Sequence, residues 1–282
     1  RCEACRPSVR PPSEHATSMD GALASVALFF AGAAGGALNS VAGGGSFIVF
    51  PTMLLAGIPP VTANATTTVA LWPAGLASAG AYRPHLPKSR WTLGVLCAMS
   101  LLGGGFGAKL LLVTSDTTFA RILPALMFAA AAIFTFGPRL TSRVRKTPIS
   151  LDAGGFEMAS GRHLLFGAAL QLVISTYGGY FGGGMGIMML ATFTLMGMSH
   201  MHEMNALKVV LGILINGVAL IAFIEAGKVV TSVAIPVALG SIAGGWLGAA
   251  LARRVAPAKV RRIVLLVAWS LTLWFFYRAL RK

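Results

Sequence analysis

The stretch that decides the fold is GGALNSVAGGGSFIVFPTMLLAGIPPVTANATT, residues 35–67. A second stretch of the same design is GGYFGGGMGIMMLATFTLMGMSHMHEMNALK, residues 178–208. In each, a glycine cluster precedes a short apolar segment, residues 46–56 in the first and 185–197 in the second. Such a segment is too short to cross the hydrocarbon core of a bilayer, which takes about 20 helical residues. We therefore predict two half-helices, each folded back on the helix before it, as in the discontinuous helices of secondary transporters.

The composition of the whole chain predicts a polytopic membrane protein that contacts the lipid bilayer. Of its 282 residues, 56% are hydrophobic and only 11% are charged, and the mean hydropathy is +0.76. Soluble domains carry about 25% charged residues, so this chain has too few to cover a water-facing surface. Inside lipid the backbone must satisfy its own hydrogen bonds, which favours an all-α fold.

The net charge of +15 narrows the choice of partners. Basic residues collect in the cytoplasmic loops of membrane proteins, so no nucleic-acid partner is predicted. A shortage of acids leaves an internal cavity electropositive, which suits a small anionic substrate.

Cys2 and Cys5 form a lone CxxC and Cys97 lies in an apolar segment, so we predict no metal site and no cofactor. The sequence gives no indication of the oligomeric state.

Apolar segments of spanning length begin at about residue 20. They lie at about 20–41, 61–82, 91–113, 118–137, 163–180, 203–225, 229–252 and 260–279. Residues 1–18 are polar and proline-rich and precede Met19. We expect a disordered or wrongly included N-terminal extension there.

The two halves of the chain resemble each other, which predicts a duplication. At an offset of 140 residues three pairs of glycines superpose: Gly43 on Gly183, Gly44 on Gly184 and Gly57 on Gly197. When the offset is increased by one residue, Asn64 also pairs with Asn205. The stretch GGFGAKL from Gly104 faces GGWLGAAL from Gly244 at the same offset of 140.

Loop charge predicts how the halves are oriented. Basic residues concentrate in three loops that should be cytoplasmic, at 83–90, 139–162 and 253–262. The alternate loops carry a single basic residue, Lys228, and should face outward; they are 57–60, 114–118 and 226–228. Equivalent loops of the two halves then lie on opposite sides of the membrane, which is the pattern of inverted-topology repeats. The basic tail at 278–282 is the exception to this rule.

The resulting domain organisation has three parts after the N-terminal extension. We predict a first transmembrane repeat at 19–140, a cytoplasmic linker at 141–161 and a second transmembrane repeat at 162–282. Each repeat consists of a glycine-rich broken-helix hairpin and three transmembrane helices.

The glycine clusters are the first candidate substrate site. A glycine run that opens a helix leaves backbone N–H groups at the positive end of the helix dipole, where an oxyanion accepts hydrogen bonds. Two such tips would flank one site near mid-membrane. Close helix packing through small residues explains the same glycines, and both interpretations stay open. The candidates are Asn39, Gly43, Gly44, Gly45, Ser46, Gly182, Gly183, Gly184 and Gly186, with Ser40 and Asn216 as weaker ones.

Polar residues at the start of the two helices that follow the hairpins form a second group of candidates. They are Asn64, Thr66, Thr67, Asn205 and Lys208. Asn205 and Lys208 are three residues apart and share one helical face. A lysine inside the membrane is costly unless it faces a cavity or a partner, which makes Lys208 the strongest candidate for an anion contact. Snorkelling to the headgroups is the alternative.

Residues 196–204, MGMSHMHEM, suggest a metal-ion transporter as an alternative function. His200 and His202 point to different faces of a helix because they are two residues apart, which disfavours a shared metal. Glu203, His202 and Glu225 are candidates to carry a coupled proton. An anion channel is a further alternative to a carrier.

Two stretches carry a family resemblance. VAGGGSFIVFPTMLLAGIPPVTANATTTVALWPAG at 41–75, followed by AYR at 81–83, resembles the first repeat of the sulfite exporter TauE/SafE family. Residues 178–229 are similar to that family's second repeat. The resemblance implies a secondary transporter, not an enzyme, that moves sulfite or organosulfur anions across the cytoplasmic membrane. Pro51 has Ala191 opposite it, so the two hairpins differ chemically.

The loop charges make a topological prediction. Single cysteines at Ser89 and Thr147 should be cytoplasmic, and single cysteines at Ser115 and Ala226 should be external, in a background without the three native cysteines. An impermeant thiol reagent added from outside should label only the latter two. Labelling of the Ser89 and Ser115 positions from the same side would contradict inverted repeats.

Overall fold

The computed structural model describes residues 21–42, 44–82, 89–144, 161–198 and 200–251, and the helical residues 265–266, 269–270 and 272–277. Over these ranges the regular structure is all helix, without a strand. The helices are α1 (Gly21–Ala42), α2 (Ser46–Leu55), α3 (Pro60–Tyr82), α4 (Arg90–Val113), α5 (Asp116–Val144), α6 (Gly161–Tyr180), α7 (Met185–Leu195), α8 (Met201–Glu225) and α9 (Thr231–Leu251).

Five of the helices in the described part of the chain contain a stretch long and apolar enough to cross a membrane. These stretches are Leu23–Ser40, Arg90–Val113, Asp116–Ile133, Glu203–Glu225 and Thr231–Gly248. Large apolar side chains cover the outer surface, including Trp91, Val113 and Trp246, which are all exposed. A surface of this kind faces lipid, so the chain is a multi-pass membrane protein.

The observed helices follow the predicted segments with one extension. Helix α5 runs on to Val144, beyond the predicted end at 137. The fold class predicted from composition, an all-α membrane protein, is confirmed. The predicted extension at 1–18 and most of the predicted linker at 141–161 lie outside the described residues.

Helices α2 and α7 are the two predicted half-helices, and each folds back on the helix before it. A Cβ added to Gly35 of α1 would lie 2.6 Å from Val49 Cγ2 of α2, and one added to Gly45 would collide with the Gly35 carbonyl. Such close contact requires small residues on both arms. The α6–α7 turn needs glycine for another reason, because Gly182 and Gly184 have φ of +79° and +80°.

Small residues also bring the long helices into backbone contact. Helix α1 packs along α9, where a Cβ on Gly36 or Gly244 would collide with the backbone of Ser241 or Ala33. Helix α4 packs along α6 in the same way, because a Cβ on Gly107 would collide with the Thr176 carbonyl. In lipid, helix association depends on such close packing, since lipid tails are as apolar as the side chains.

The contact register gives the relative direction of these helices. In α1 and α9, Gly32 faces Val237 and Gly36 faces Ser241, so both numbers rise together and the helices are parallel. Helix α9 is parallel to α3 by the same test: Ser241 donates to the Ala70 carbonyl and Gly245 faces Ala74.

Helices α4, α6 and α8 run in the opposite direction. Helix α4 is parallel to α6, since Gly103 faces Leu172 and Gly107 faces Thr176. Helix α7 turns back from α6 and lies antiparallel to α8, where Gly186 faces Lys208 and the Met185 side chain faces Gly212, which makes α8 parallel to α6. Helices α3 and α8 cross antiparallel, since Trp72 packs against Gly217 and Gly75 faces Ile213. Helices α1, α3 and α9 therefore run one way, and α4, α6 and α8 run the other way.

An aromatic cluster joins the two hairpins. The Phe50 ring of α2 meets the Phe181 ring of the second hairpin edge-on, at a centroid distance of 5.9 Å. Phe119 of α5 contacts both Phe50 and Tyr180, with centroids 6.4 and 5.6 Å away. Edge-to-face rings of this kind stabilise beyond the area they bury. The cluster fixes the second hairpin against the half-helix of the first.

Candidate functional site

A cavity of about 90 Å³ lies where α3 and α8 cross, between the two hairpins. This volume holds several water molecules or one small oxyanion. Both halves of the chain contribute to the wall. The lining residues are Asn39, Ser40, Ser46, Thr68, Leu71, Trp72, Gly75, Phe181, Gly182, Met185, Gly186, Met189, Lys208, Val209, Gly212, Ile213 and Asn216.

Lys208 supplies the one charged side chain among the described residues of this wall. Its Nζ donates a hydrogen bond to Asn205 Oδ1 at 3.0 Å. The lysine stem passes over Gly186, where an added Cβ would lie 3.2 Å from Lys208 Cδ. An ammonium has three donors, so the bond to Asn205 holds the group in place and leaves two donors for a ligand.

Several predicted candidates line this cavity. From the first hairpin the structure places Asn39 and Ser46 in the wall, and from the second it places Gly182 and Gly186 there. The weaker candidates Ser40 and Asn216 line it too. Gly43 lies outside the described residues.

The polar residues at the start of α3 have other partners. Asn64 is buried, and its Nδ2 donates to the Tyr180 carbonyl at 2.9 Å. Thr66 Oγ1 accepts from the Val230 N–H at 3.1 Å, and Thr67 Oγ1 donates to the Ala63 carbonyl at 2.7 Å. None of the three is part of the cavity wall. Asn205 is also absent from the wall and reaches the site through Lys208.

The remaining tip glycines shape the backbone. The Gly44 and Gly45 carbonyls accept from Phe47 and Ile48 N–H at 3.1 Å each. The Gly183 carbonyl accepts a hydrogen bond from the Tyr177 hydroxyl at 2.7 Å. Gly184, with φ of +80°, is the N-cap residue of α7. The N–H groups of Phe47 and Ile48 are therefore used within the turn, which reduces the number of backbone donors that an anion can meet.

Trp72 is the main wall residue that sequence reasoning missed. Its Nε1 donates to the Ile213 carbonyl at 3.0 Å, and its ring packs against Gly217. A tryptophan in the middle of a membrane helix needs a partner for its N–H, and that need was the available signal. Trp72 fixes the crossing of α3 and α8.

The cavity wall repeats itself across the two halves. At an offset of 141 residues, four wall residues of α3 correspond to four wall residues of α8: Thr68 to Val209, Leu71 to Gly212, Trp72 to Ile213 and Gly75 to Asn216. Trp72 thus bonds to its own counterpart. The charge breaks the correspondence, because the counterpart of Lys208 is the buried Thr67.

The described metal-ion and proton candidates are not part of this wall. His200 and Glu225 are exposed, and Glu203 is half-buried outside the cavity. Lys109 of α4 is also exposed and is not a wall residue. The side chain of His202 is outside the described residues. Across the described ranges, no three His, Cys, Asp or Glu side chains come together in one place.

Comparison with known proteins gives one consistent result. The profile of the family described as sulfite exporter TauE/SafE matches residues 28–275. A probable membrane transporter protein of Haemophilus influenzae is 26% identical over 89% of this chain and 93% of its own length. Probable membrane transporter protein ORF9 of a Sinorhizobium species is 31% identical over 87% of this chain and 89% of its own length. Probable membrane transporter protein YfcA of Escherichia coli K12 is 25% identical over 86% of this chain and 85% of its own length. No solved structure matches.

Asn64→Ala should lower stability without affecting a ligand in the cavity. The substitution leaves the buried Tyr180 carbonyl without the Asn64 amide, which should cost about 0.6–2 kcal/mol of unfolding free energy. Thermal unfolding of the purified protein measures the loss. Asn216→Ala, in the half-buried wall, is the matched control and should unfold close to wild type. Equal unfolding temperatures for wild type and Asn64→Ala would rule out the structural role.

Proposed function

The chain belongs to the sulfite exporter TauE/SafE family and is a membrane transporter, and we propose that it exports or imports a small anion, such as sulfite or an organosulfonate, by alternating access. The proposed substrate site is the cavity between the two glycine-rich hairpins. The observation that carries the proposal is the Lys208 ammonium in a wall built from both halves.

The proposed architecture is a pair of inverted repeats, 19–140 and 162–282. Three pairs of corresponding helices support it, because α1 and α6, α3 and α8, and α4 and α9 run in opposite directions. Matched contacts support it further. Gly104 of α4 faces Ile215 of α8, while Gly245 of α9 faces Ala74 of α3, and both pairs are related by 141 residues. This register also moves the counterpart of Gly104 from Gly244 to Gly245.

Inverted repeats give a physical route to alternating access. Two halves of similar fold and opposite direction can exchange conformations, which closes one side of a central site as the other opens. The small-residue contacts of α1 with α9 and of α4 with α6 let helices move against each other with little side-chain interlocking. A cavity where α3 and α8 cross lies at the centre of such a motion.

The chemistry of the wall suits an oxyanion. The ammonium of Lys208 forms charge-assisted hydrogen bonds, and Asn39, Asn216 and Ser46 offer neutral donors around it. The apolar side chains of Leu71 and Met189 in the wall lower the local dielectric, which strengthens the electrostatic attraction. In this arrangement Asn205 is a positioning residue that holds the ammonium toward the cavity.

Lys208→Met tests the charge directly. Loss of a charge-assisted hydrogen bond worth about 1.5–3 kcal/mol should weaken sulfite binding roughly ten- to hundredfold. Lys208→Arg should be intermediate, because it keeps the charge and changes the reach and donor geometry. Affinity is measured by titration of purified protein, with folding checked by chromatography.

Lys109→Met is the matched control, since Lys109 is an exposed lysine of membrane helix α4. It should bind sulfite like wild type. Unchanged affinity in a folded Lys208→Met protein would remove Lys208 from the site. Full substitution by arginine, with altered protein yield for methionine, would instead indicate snorkelling.

A further inference from the structure

We propose that this cavity selects singly charged oxyanions and discriminates against doubly charged ones. The inference rests on the proposed function and specifies its substrate class by charge. It follows from the number of charges in the wall and from what surrounds them.

The described part of the wall offers one positive charge. Lys208 is the charged residue among its described members, and the other polar members, Asn39, Ser40, Ser46, Thr68 and Asn216, are neutral. A monoanion, such as an organosulfonate or the hydrogensulfite form of sulfite, makes a neutral pair with the ammonium. A dianion in the same place leaves one negative charge uncompensated inside the membrane, where unpaired charge is strongly disfavoured.

The two energies involved scale differently with charge. Attraction to one ammonium grows in proportion to the charge of the anion, whereas the cost of removing the anion from water grows with the square of that charge. Doubling the charge therefore doubles the gain and quadruples the cost. In a wall whose described members provide one ammonium and otherwise neutral side chains, the cost decides, and the monoanion binds more tightly.

Asn205 and the apolar wall act in the same direction. Lys208 Nζ donates one of its three hydrogens to Asn205 Oδ1, with Nζ and Oδ1 3.0 Å apart, so two donors remain for the oxygens of an anion. Trp72 and Met185 on the wall provide apolar surface but few hydrogen bonds. An anion that presents one oxyanion head to Lys208 and a less polar substituent to this surface leaves the fewest oxygens unpaired.

Sulfate and methanesulfonate form a matched pair of probes, because they differ by one substituent on sulfur, an anionic oxygen or a methyl group. Hydroxymethanesulfonate separates charge from polarity, since it is a monoanion with a polar substituent. Each is titrated into the purified full-length protein at pH 7 in a buffer without chloride. We expect the two sulfonates to bind within a few-fold of each other and sulfate to bind at least tenfold more weakly.

The outcomes separate this inference from the proposed function. Sulfate that binds wild type as tightly as methanesulfonate overturns the charge selectivity and leaves anion transport standing. Weak binding of hydroxymethanesulfonate together with sulfate shows selection by polarity and also overturns it. Failure of all three anions and of sulfite to bind overturns the proposed function together with this inference. In Lys208→Met, methanesulfonate binding should fall at least tenfold, and an unchanged affinity in a folded protein would overturn the inference, because the Lys208 charge would not contribute to binding.

Discussion

The hydrocarbon core of a bilayer offers no hydrogen-bond partners, so a chain that interrupts its helices there must shield the interrupted backbone. This constraint organises the protein. At the interruption between α6 and α7, the Tyr177 hydroxyl donates a hydrogen bond to the Gly183 carbonyl, and the Asn64 amide donates one to the Tyr180 carbonyl. The interruption between α1 and α2 is closed by contact of Gly45 with the backbone of α1. Helix α3, which supplies the Asn64 amide to the turn between α6 and α7, also lines the cavity, so the structural requirement and the candidate site share this helix.

In the proposed architecture, the two halves of the chain share an arrangement of helices and differ in side chains. Corresponding positions contact corresponding helices, yet Asn64 bonds to the opposite hairpin while its counterpart Asn205 bonds to Lys208. Thr67 and its counterpart Lys208 differ in the same way: Thr67 is buried and donates to a carbonyl of its own helix, whereas Lys208 lines the cavity. We interpret the shared backbone as the basis of the proposed motion. The unequal side chains place the charge on one side of the cavity, where a substrate would be oriented by it.

The sequence predicts the helices well and the faces of the helices poorly. Glycine clusters followed by segments of 10 and 11 helical residues identify α2 and α7, because segment length against membrane thickness is a strong constraint. Which side of α3 faces the cavity is another matter. Lipid and neighbouring helices are both apolar, so a membrane helix carries little periodic pattern to mark its inner face. For that reason the sequence-based prediction placed Asn64, Thr66 and Thr67 in the same site as Lys208, although their hydrogen-bond partners lie elsewhere. It also did not include Trp72, which lines the cavity. Lys208 itself was predictable because an intramembrane charge needs a partner.

If one anion contacts both halves of the chain in a shared cavity, it should protect engineered cysteines in both parts of the wall from a thiol reagent. Ser46→Cys lies in the wall from the first half and Val209→Cys in the wall from the second, and Gly94→Cys, at an open position of α4, serves as the reference. Each is made in a background without native cysteines and labelled with a small thiol reagent, with and without saturating methanesulfonate. The account predicts that methanesulfonate slows labelling several-fold at both wall positions and leaves the Gly94 position unchanged. Slower labelling at Val209→Cys with an unchanged rate at Ser46→Cys would contradict a site shared by the two halves.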